Sequence, residues 1–392
     1  MKSTTVLLTD VSSQTWIEET LINAESHPDF SKELGWFIKK QQMHGGTSEG
    51  VDLITLHNGA LTLSVLPTRG MGVWKGQYQE TPVGWDSPVK APVNPAYIDL
   101  SERGGLGWLS GFNELICRCG LISNGPPGKD RGGNPLESEL TLHGRIANTP
   151  AHFVSVTLDP EDGGWIRLTG QVQEAMLFGS QLLLETTLET QLGSNTFRIR
   201  DRVTNPGADN TESELLYHIN VGAPFLGEGA RFEMPFAEMA PRDPRAAEGV
   251  KEMNTYLGPT AGYAEQVYLF DPVADEQGFT PALLSSEDGG IGFLVNFKKS
   301  TLPCFTLWKN TQPEASGYVT GLEPGINFPN FRAEEREQGR LKNLGPGDSY
   351  ETEFEVSILN NSNSVDAMRQ KITKLTEQAP AVIHSDPHSK FS

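Results

Sequence analysis

Cysteine is scarce in this chain, with only three among 392 residues. Cys117 and Cys119 form a C-x-C pair, and Cys304 stands alone. A count of three rules out a framework of several disulfides. A zinc site on the C-x-C pair would need two further ligands, and none stands at metal-ligand spacing. We therefore expect buried, reduced thiols in a protein of the cytoplasm.

Basic residues are also few relative to acidic ones, and long apolar runs are absent from the sequence. Lys and Arg number 31 against 50 Asp and Glu, which gives a net charge of −19. Such a surface repels phosphate backbones and anionic lipid, so we expect no nucleic-acid and no membrane partner. No run approaches the roughly 18 apolar residues of a membrane span. The short apolar run Val6–Leu8 cannot serve as the core of a signal peptide, which again predicts a cytoplasmic location.

Turn-forming residues, by contrast, are plentiful, with 41 Gly and 26 Pro. They separate short runs in which apolar residues alternate, such as Val51–Leu56 and Leu61–Leu66 on either side of Asn58-Gly59. Further predicted strands are Phe153–Leu158, Trp165–Gln173, Ser180–Gln191, Thr196–Asn205, Glu214–Gly222, Gln266–Phe270, Ala282–Ser285, Ile291–Asn296, Cys304–Lys309, Gly317–Glu323 and Tyr350–Leu359. The pattern predicts an all-β, mainly antiparallel protein with few short helices.

A single large domain over residues 50–360 is the most economical organisation, because neither a linker nor a repeat interrupts it. Residues 1–49 are predicted to form an N-terminal extension with a short helix over 13–24 and edge elements. Residues 361–392 are predicted to hold a C-terminal helix over 365–376, where apolar residues recur at helical spacing. A flexible tail is expected to follow this helix.

Several polar and aromatic residues suited to binding a sugar stand where predicted strands meet Gly- or Pro-containing turns. A pyranose has hydroxyl edges and an apolar C–H face, so planar polar groups and aromatic rings bind it together. The long irregular stretch 84–142 is expected to line the cleft. The candidate residues are Arg69, His143, Arg145, His218, Asn220, Trp308, Lys309 and Glu323.

Each candidate also has an ordinary structural explanation. Arg69 is compatible with a surface arginine, and a lone His143 or His218 with a core histidine bonded to backbone. His218 and Asn220, however, project from the same face of an apolar strand, because side chains alternate along a strand. Glu323 lies in a run without other charges, where a carboxylate is expected to be either paired or functional.

Seven motifs together resemble the aldose 1-epimerase (galactose mutarotase-like) superfamily, and more narrowly its DUF4432 branch. They are P-T-R-G-M at 67–71, G-W-x-S-P at 84–88, G-L-G-W-L-S-G-F at 105–112, C-G-L at 119–121, H-G-R-I-A-N-T-P-A at 143–151, L-Y-H-I-N-V-G-A-P at 216–224 and G-L-E-P-G-I-N-F-P at 321–329. The resemblance implies a β-supersandwich of two large twisted antiparallel sheets, with the sugar bound in a cleft on one face.

The resemblance also implies roles for particular residues. His218, with Asn220 beside it, matches the superfamily's general acid, and Glu323 matches its general base. His143 matches a histidine that binds the sugar. These assignments make His218 and Glu323 the predicted catalytic pair, with Asn220 in the predicted substrate-binding set.

Other parts of the superfamily pattern have only approximate counterparts here. Glu265 is the best counterpart of an Asp that mutarotases carry before an aromatic-rich strand. Their Asn-Arg pair is absent from its usual setting, and Arg69 and Arg145 are the candidates to replace it. Trp308 and Lys309 complete the predicted substrate-binding residues.

The implied activity is interconversion of the α and β anomers of a sugar, for which one acid and one base suffice. No cofactor and no metal are expected, the partner is a small carbohydrate, and the protein is expected to be a monomer or homodimer. One alternative is an epimerase of a phosphorylated or otherwise anionic sugar, favoured if Arg69, Arg145 and Lys309 share one cleft. A non-catalytic sugar-binding protein is favoured if His218 and Glu323 lie far apart. A lyase or glycoside hydrolase is least favoured, since no clear pair for either stands out.

Overall fold

The computed structural model describes residues 2–31, 35–378 and 380–392 and consists almost entirely of strands. The strands are β1 (Thr4–Asp10), β2 (Thr15–Trp16), β3 (Thr20–Asn23), β4 (Phe37–Met43), β5 (Val51–His57), β6 (Leu61–Leu66), β7 (Gly72–Tyr78), β8 (Thr81–Val83), β9 (Ile116–Leu121), β10 (Gly128–Lys129), β11 (Glu139–Leu140), β12 (Phe153–Asp159), β13 (Trp165–Ala175), β14 (Gln181–Gln191), β15 (Thr196–Thr204), β16 (Thr211–Val221), β17 (Arg231–Glu233), β18 (Phe236–Pro241), β19 (Gln266–Pro272), β20 (Phe279–Ser285), β21 (Gly292–Lys298), β22 (Cys304–Asn310), β23 (Val319–Gly325), β24 (Lys342–Leu344), β25 (Ser349–Leu359) and β26 (Val382–Ile383). The helices are α1 (Glu102–Gly105), α2 (Pro244–Ala247), α3 (Arg332–Glu337) and α4 (Ser362–Gln378).

Two large sheets hold nearly all of these strands. The first sheet has the order β17-β20-β21-β25-β15-β14-β13-β12-β1-β2. The second has the order β26-β18-β19-β22-β23-β16-β9-β7-β6-β5-β4-β3, with β24 beside β16 and β8 beside β7. The paired strands are antiparallel apart from β26, which runs parallel to β18. The prediction of an all-β, mainly antiparallel supersandwich is therefore confirmed.

The site depends on a difference in burial between the two sheets. On the first sheet, residues of β13 alternate between buried and partly exposed, as in a sheet with one solvated face. On the second sheet, β16 is buried along nearly its whole length on both faces. Tyr217 and Ile219 pack into the core between the sheets. His218 and Asn220 therefore face the opposite side, where loops cover the sheet.

A buried ion pair connects the sheets beneath this region. Arg118 on β9 reaches Asp201 on β15, and its Nη2 donates to Oδ1 of Asp201 at 2.9 Å. Tyr217 donates from its hydroxyl to the same carboxylate at 2.8 Å. Both charged side chains are almost fully buried. Their mutual hydrogen bonds offset the cost of taking the charges out of water.

The short helix predicted over 13–24 is wrong. Thr15–Trp16 and Thr20–Asn23 are the strands β2 and β3, which pair with β1 and β4 respectively. Threonine and isoleucine are frequent in this segment, and the unpaired edges of the sheets outweigh its weak helical pattern. Residues 2–31 and 35–49 thus supply strands to both sheets.

The C-terminal helix is confirmed as α4 (Ser362–Gln378), but the flexible tail predicted after it is wrong. The segment after α4 contains β26, which pairs with β18, and its Phe391 is only 2% exposed. The ring of Phe391 lies 5.5 Å from that of Phe328, which explains why the polar tail is held in place. Among the described residues, no helix is both long and apolar enough to cross a membrane.

Candidate active site

A cleft of about 470 Å³ opens on the outer face of the second sheet, above β16, β22 and β23. The irregular stretch 84–142 supplies one wall, as its length predicts, although it also contains the central strand β9. Of the predicted site residues, His143, His218, Glu265, Trp308 and Glu323 line the cleft. The structure thus brings the predicted acid and base together with three of the predicted binding residues.

Asn220 fixes the orientation and tautomer of His218. Its amide nitrogen donates to the carbonyl of Glu114 at 2.9 Å, so its Oδ1 is left to accept a hydrogen bond from Nδ1 of His218 at 2.6 Å. The proton of a neutral His218 ring therefore sits on Nδ1, and Nε2 presents a lone pair. Asn220 was predicted to bind the substrate, but it is fully buried and does not line the cleft. Its role in this structure is to orient His218.

Glu323 on β23 completes the pair. Its Oε1 lies 3.3 Å from Nε2 of His218, and both side chains are less than one-tenth exposed. The motif G-L-E explains how the carboxylate is accommodated, because residues 321 and 323 share a face of the strand. A Cβ atom on Gly321 would lie 2.2 Å from Oε1 of Glu323, so a larger residue there would displace the carboxylate.

Burial shifts the pKa values of the two groups in opposite directions. Loss of solvent lowers the pKa of His218 well below its ordinary 6.5, and the neighbouring His143 adds to this effect. Loss of solvent raises the pKa of Glu323 well above its ordinary 4.5, with a further contribution from the charge of Glu265. These opposite shifts favour the neutral pair, in which the transferable proton resides on Glu323 and Nε2 of His218 is unprotonated.

The raised pKa of Glu323 gives a testable effect on stability. The carboxyl stabilises the fold fully below its unfolded value near 4.5, and this contribution is lost as pH rises through the raised folded pKa. Glu323→Gln removes that titration. We therefore expect the melting temperature of the variant to rise relative to that of the parent as the pH increases from 5 to 8. Calorimetry at each pH measures this difference. A difference that stayed constant with pH would contradict the shifted pKa.

His143 stands on a turn that exposes one ring nitrogen to the cleft. Its backbone has φ 57°, and Gly144 continues the turn with φ 69°. Nδ1 of His143 donates to the carbonyl of Asn124 at 2.7 Å, so Nε2 is free to accept from a hydroxyl. Burial lowers the pKa of His143 to about 4, which keeps the ring neutral near pH 7.

Aromatic rings form the remaining apolar surface of the cleft. The ring of Trp108 lies 4.5 Å from that of Phe112 and 4.8 Å from that of His143. His218 lies between Phe112 at 5.0 Å and Trp308 at 5.3 Å, measured between ring centroids. This arrangement suits the C–H face of a sugar and excludes water from the acid–base pair.

Glu265 and Arg242 form the charged rim of the cleft. Glu265 accepts from Nε1 of Trp308 at 2.7 Å and from Nη2 of Arg242 at 3.0 Å. Arg242 also contacts Asp243 at 3.0 Å. Sequence reasoning missed Arg242, although it stands directly after β18 and shortly before Pro244, the strand-end setting used for the other candidates.

The expectation that Arg69 lines the cleft is wrong. Its guanidinium is 1% exposed and donates to Oε1 of Glu114 at 2.5 Å. It also donates to the carbonyls of Val93 and Gly111 and to Oδ1 of Asn148. Because the carbonyl of Glu114 accepts from Asn220, Arg69 supports the layer beneath His218 without reaching the substrate.

Arg145 and Lys309, both predicted to bind substrate, also lie away from the cleft, so the three cations do not share one cleft as the anionic-sugar alternative requires. Arg145 is exposed beyond the turn at His143 and lines a separate cavity that contains Glu174. Lys309 follows Trp308 on β22 and therefore points to the other face of the sheet. There its ammonium donates to backbone carbonyls, including that of Thr255 at 2.7 Å.

Comparison with known proteins agrees with this fold. Residues 48–358 match the family described as a domain of unknown function, DUF4432. The chain belongs to the DUF4432 family. It is also similar to a solved protein from Klebsiella pneumoniae subsp. pneumoniae described as a candidate aldose 1-epimerase, with 36% identity, a TM-score of 0.93 and coverage of 98% of both chains.

More distant solved structures share the fold alone. A galactose mutarotase-like protein from Clostridium acetobutylicum is 15% identical with a TM-score of 0.54, covering 83% of this DUF4432 chain and 99% of its own. The Slr1438 protein from Synechocystis sp. PCC 6803 is 18% identical with a TM-score of 0.53, covering 78% and 95%. No curated protein matches the chain significantly. The predicted resemblance and the galactose mutarotase-like fold are therefore confirmed.

Proposed function

We propose that the protein is an aldose 1-epimerase-like isomerase that interconverts the α and β anomers of an uncharged sugar. The observation that carries the proposal is the buried pair of His218 and Glu323, whose Nε2 and Oε1 atoms lie 3.3 Å apart beside a cleft lined with aromatic rings. The reaction needs one acid and one base acting on a single hemiacetal, which is the chemistry that this pair supplies.

In the proposed reaction Glu323 accepts the proton of the anomeric hydroxyl while His218 donates a proton from Nε2 to the ring oxygen. The C1–O5 bond breaks, the C1–O1 bond becomes a carbonyl, and rotation about C1–C2 presents its other face. Closure reverses both proton transfers, so no proton is gained or lost overall. His143 accepts from a hydroxyl through its free Nε2, and Trp108 and Trp308 pack on the sugar ring.

The reacting form differs from the resting form by one proton that moves within the pair. In the resting form the proton lies on Glu323, and in the reacting form it lies on Nε2 of His218. Sugar hydroxyls that donate to Glu323 stabilise its carboxylate and favour the reacting form. Because the two groups titrate as a unit, the pair stays competent between the lowered pKa of His218 and the raised pKa of Glu323.

We expect kcat/KM to stay level as pH falls through 6.5, since the pKa of His218 lies well below that value. In Asn220→Asp a carboxylate would face Nδ1 of His218 and raise its pKa, which moves the acid limb of the profile to higher pH. The measurement is anomer exchange by NMR across pH 4–9. Parent and Asn220→Asp profiles that coincide would contradict the role given to Asn220.

The experiment that tests the function itself is a screen of anomerically pure aldoses, with exchange followed by optical rotation and NMR. An uncharged sugar is expected to equilibrate fastest, because Arg242 is the one cation among the described residues that line the cleft. Its charge is already balanced by Glu265 and Asp243. Preference for a sugar phosphate over the parent sugar would instead support the anionic-substrate alternative.

A further inference from the structure

A second cluster of chemically capable side chains lies on the edge of the second sheet, outside the cleft. Glu238 on β18 faces His384 and His388 of the C-terminal segment. One ligand atom from each of the three lies within 4.8 Å of the others. Nε2 of His384 is 2.7 Å from Oε1 of Glu238, and the two imidazole rings stack with centroids 3.9 Å apart.

We propose that Glu238, His384 and His388 bind a divalent cation of the zinc class. Two imidazoles and one carboxylate are the donor set that Zn²⁺ takes in open tetrahedral sites, with bonds of about 2.0–2.2 Å. Such bonds place neighbouring ligand atoms roughly 3.3 Å apart. The 2.7 Å separation of His384 and Glu238 therefore needs to lengthen by about 0.6 Å when the metal replaces the proton of their hydrogen bond.

The backbone holds these ligands in place before any metal arrives. The amide of His384 donates to the carbonyl of Met239 at 2.9 Å, which fixes it beside the strand that carries Glu238. Further along the chain, after His388, the carbonyl of Lys390 accepts from Arg340 at 3.0 Å and the carbonyl of Phe391 accepts from Asn330 at 2.6 Å. Ligands on an anchored segment lose little conformational freedom on binding, which favours affinity.

Lys390 orients Glu238, and its positive charge disfavours binding of a metal ion beside it. Its ammonium contacts Oε2 of Glu238, which leaves Oε1 directed at His384, and it also contacts Asp271 at 2.9 Å. Lys299 pairs with the same Asp271 at 3.2 Å. Because a positive charge beside a bound cation is unfavourable, removing the ammonium is expected to strengthen metal binding. A purely structural ion-pair cluster would give no such gain.

The test is titration of the full-length protein with ZnCl₂ by calorimetry, together with CoCl₂ followed by visible absorption. We expect one equivalent of Zn²⁺ to bind, Co²⁺ to give a tetrahedral absorption spectrum, and Mg²⁺, which prefers oxygen ligands, not to compete. His384→Ala and His388→Ala are each expected to weaken Zn²⁺ binding at least about tenfold, since even outer-shell changes cost that much. Lys390→Met is expected to tighten it.

His44→Ala is the matched control, because His44 also pairs with a glutamate, its Nδ1 lying 3.1 Å from Oε1 of Glu49, but belongs to no three-ligand group among the described residues. It is expected to leave Zn²⁺ binding unchanged. Circular dichroism verifies that each variant folds, and His388 lies outside the buried core, so its replacement should not disturb the core. Absence of stoichiometric binding by the parent, or binding that survives both histidine replacements, would overturn the proposal.

Discussion

His218→Asn and Glu323→Gln are each expected to slow anomer interconversion by about 10² or more while sugar binding persists. A positioned proton donor or acceptor contributes roughly 10²–10⁴-fold to a rate, and each variant removes one of the two. Asparagine and glutamine keep much of the size and polarity of the originals, so the cleft should stay formed. NMR exchange between anomers gives the rate, and calorimetric titration gives the affinity.

The double variant tests whether the two residues act together. If one proton moves between His218 and Glu323 in each cycle, removing the second group after the first should cost little more. His44→Asn, at an exposed histidine on the surface, serves as the control and should keep the parent's rate. If both single variants turned over like the parent, the catalytic assignment would be wrong and the sugar-binding alternative would become the better one.

Strand periodicity and local charge were enough to single out His218 and Glu323, whose predicted roles as acid and base come from the family resemblance. His218 and Asn220 were assigned to one face of an apolar strand, and β16 does place both on the side opposite the core. Glu323 was singled out as a lone carboxylate in an apolar run, and burial is the cause of its raised pKa. The sequence could not reveal that Asn220 faces His218 and not the cleft, because that depends on the carbonyl of Glu114.

The cations were predicted least well, and strand geometry explains part of this. Trp308 and Lys309 are adjacent on β22, so only one of them can face the cleft, and the pattern alone could have separated them. Arg69 and Arg145 stand in turns, where no periodicity indicates direction. Arg242 also follows a strand end, and its partner at the cleft, Glu265, lies 23 residues away in sequence.

The predictions of a helix over residues 13–24 and of a flexible C-terminal tail were wrong for a related reason. Their local patterns are weak, and their structure comes from sheet edges that the rest of the chain supplies. Val382–Ile383 becomes a strand because β18 presents an unpaired edge, and Phe391 is buried because Phe328 offers an apolar contact. Tertiary pairing of this kind outweighs local propensity, and no short window of sequence contains it.

Arg69→Ala is expected to destabilise the protein by about 3–5 kcal/mol, because it leaves Glu114 as an uncompensated buried charge. Arg69 is 1% exposed and Glu114 is fully buried, and the guanidinium also bonds to the carbonyl of Gly111 at 3.0 Å. Since the carbonyl of Glu114 accepts from Asn220, the tautomer of His218 should also be less well fixed. Urea unfolding gives the stability, and anomer exchange gives the catalytic effect.

Arg145→Ala provides the matched comparison, because both arginines are candidates on sequence grounds and only Arg69 is buried. Arg145 is exposed, so its loss should change stability by no more than about 0.5 kcal/mol and leave anomer exchange unchanged. Adding Glu114→Ala to Arg69→Ala should cost less than the sum of the two single changes, because it removes the stranded charge. If Arg69→Ala instead weakened sugar binding and left stability intact, Arg69 would be a substrate contact after all, and its side chain would have to reach the cleft when the sugar binds.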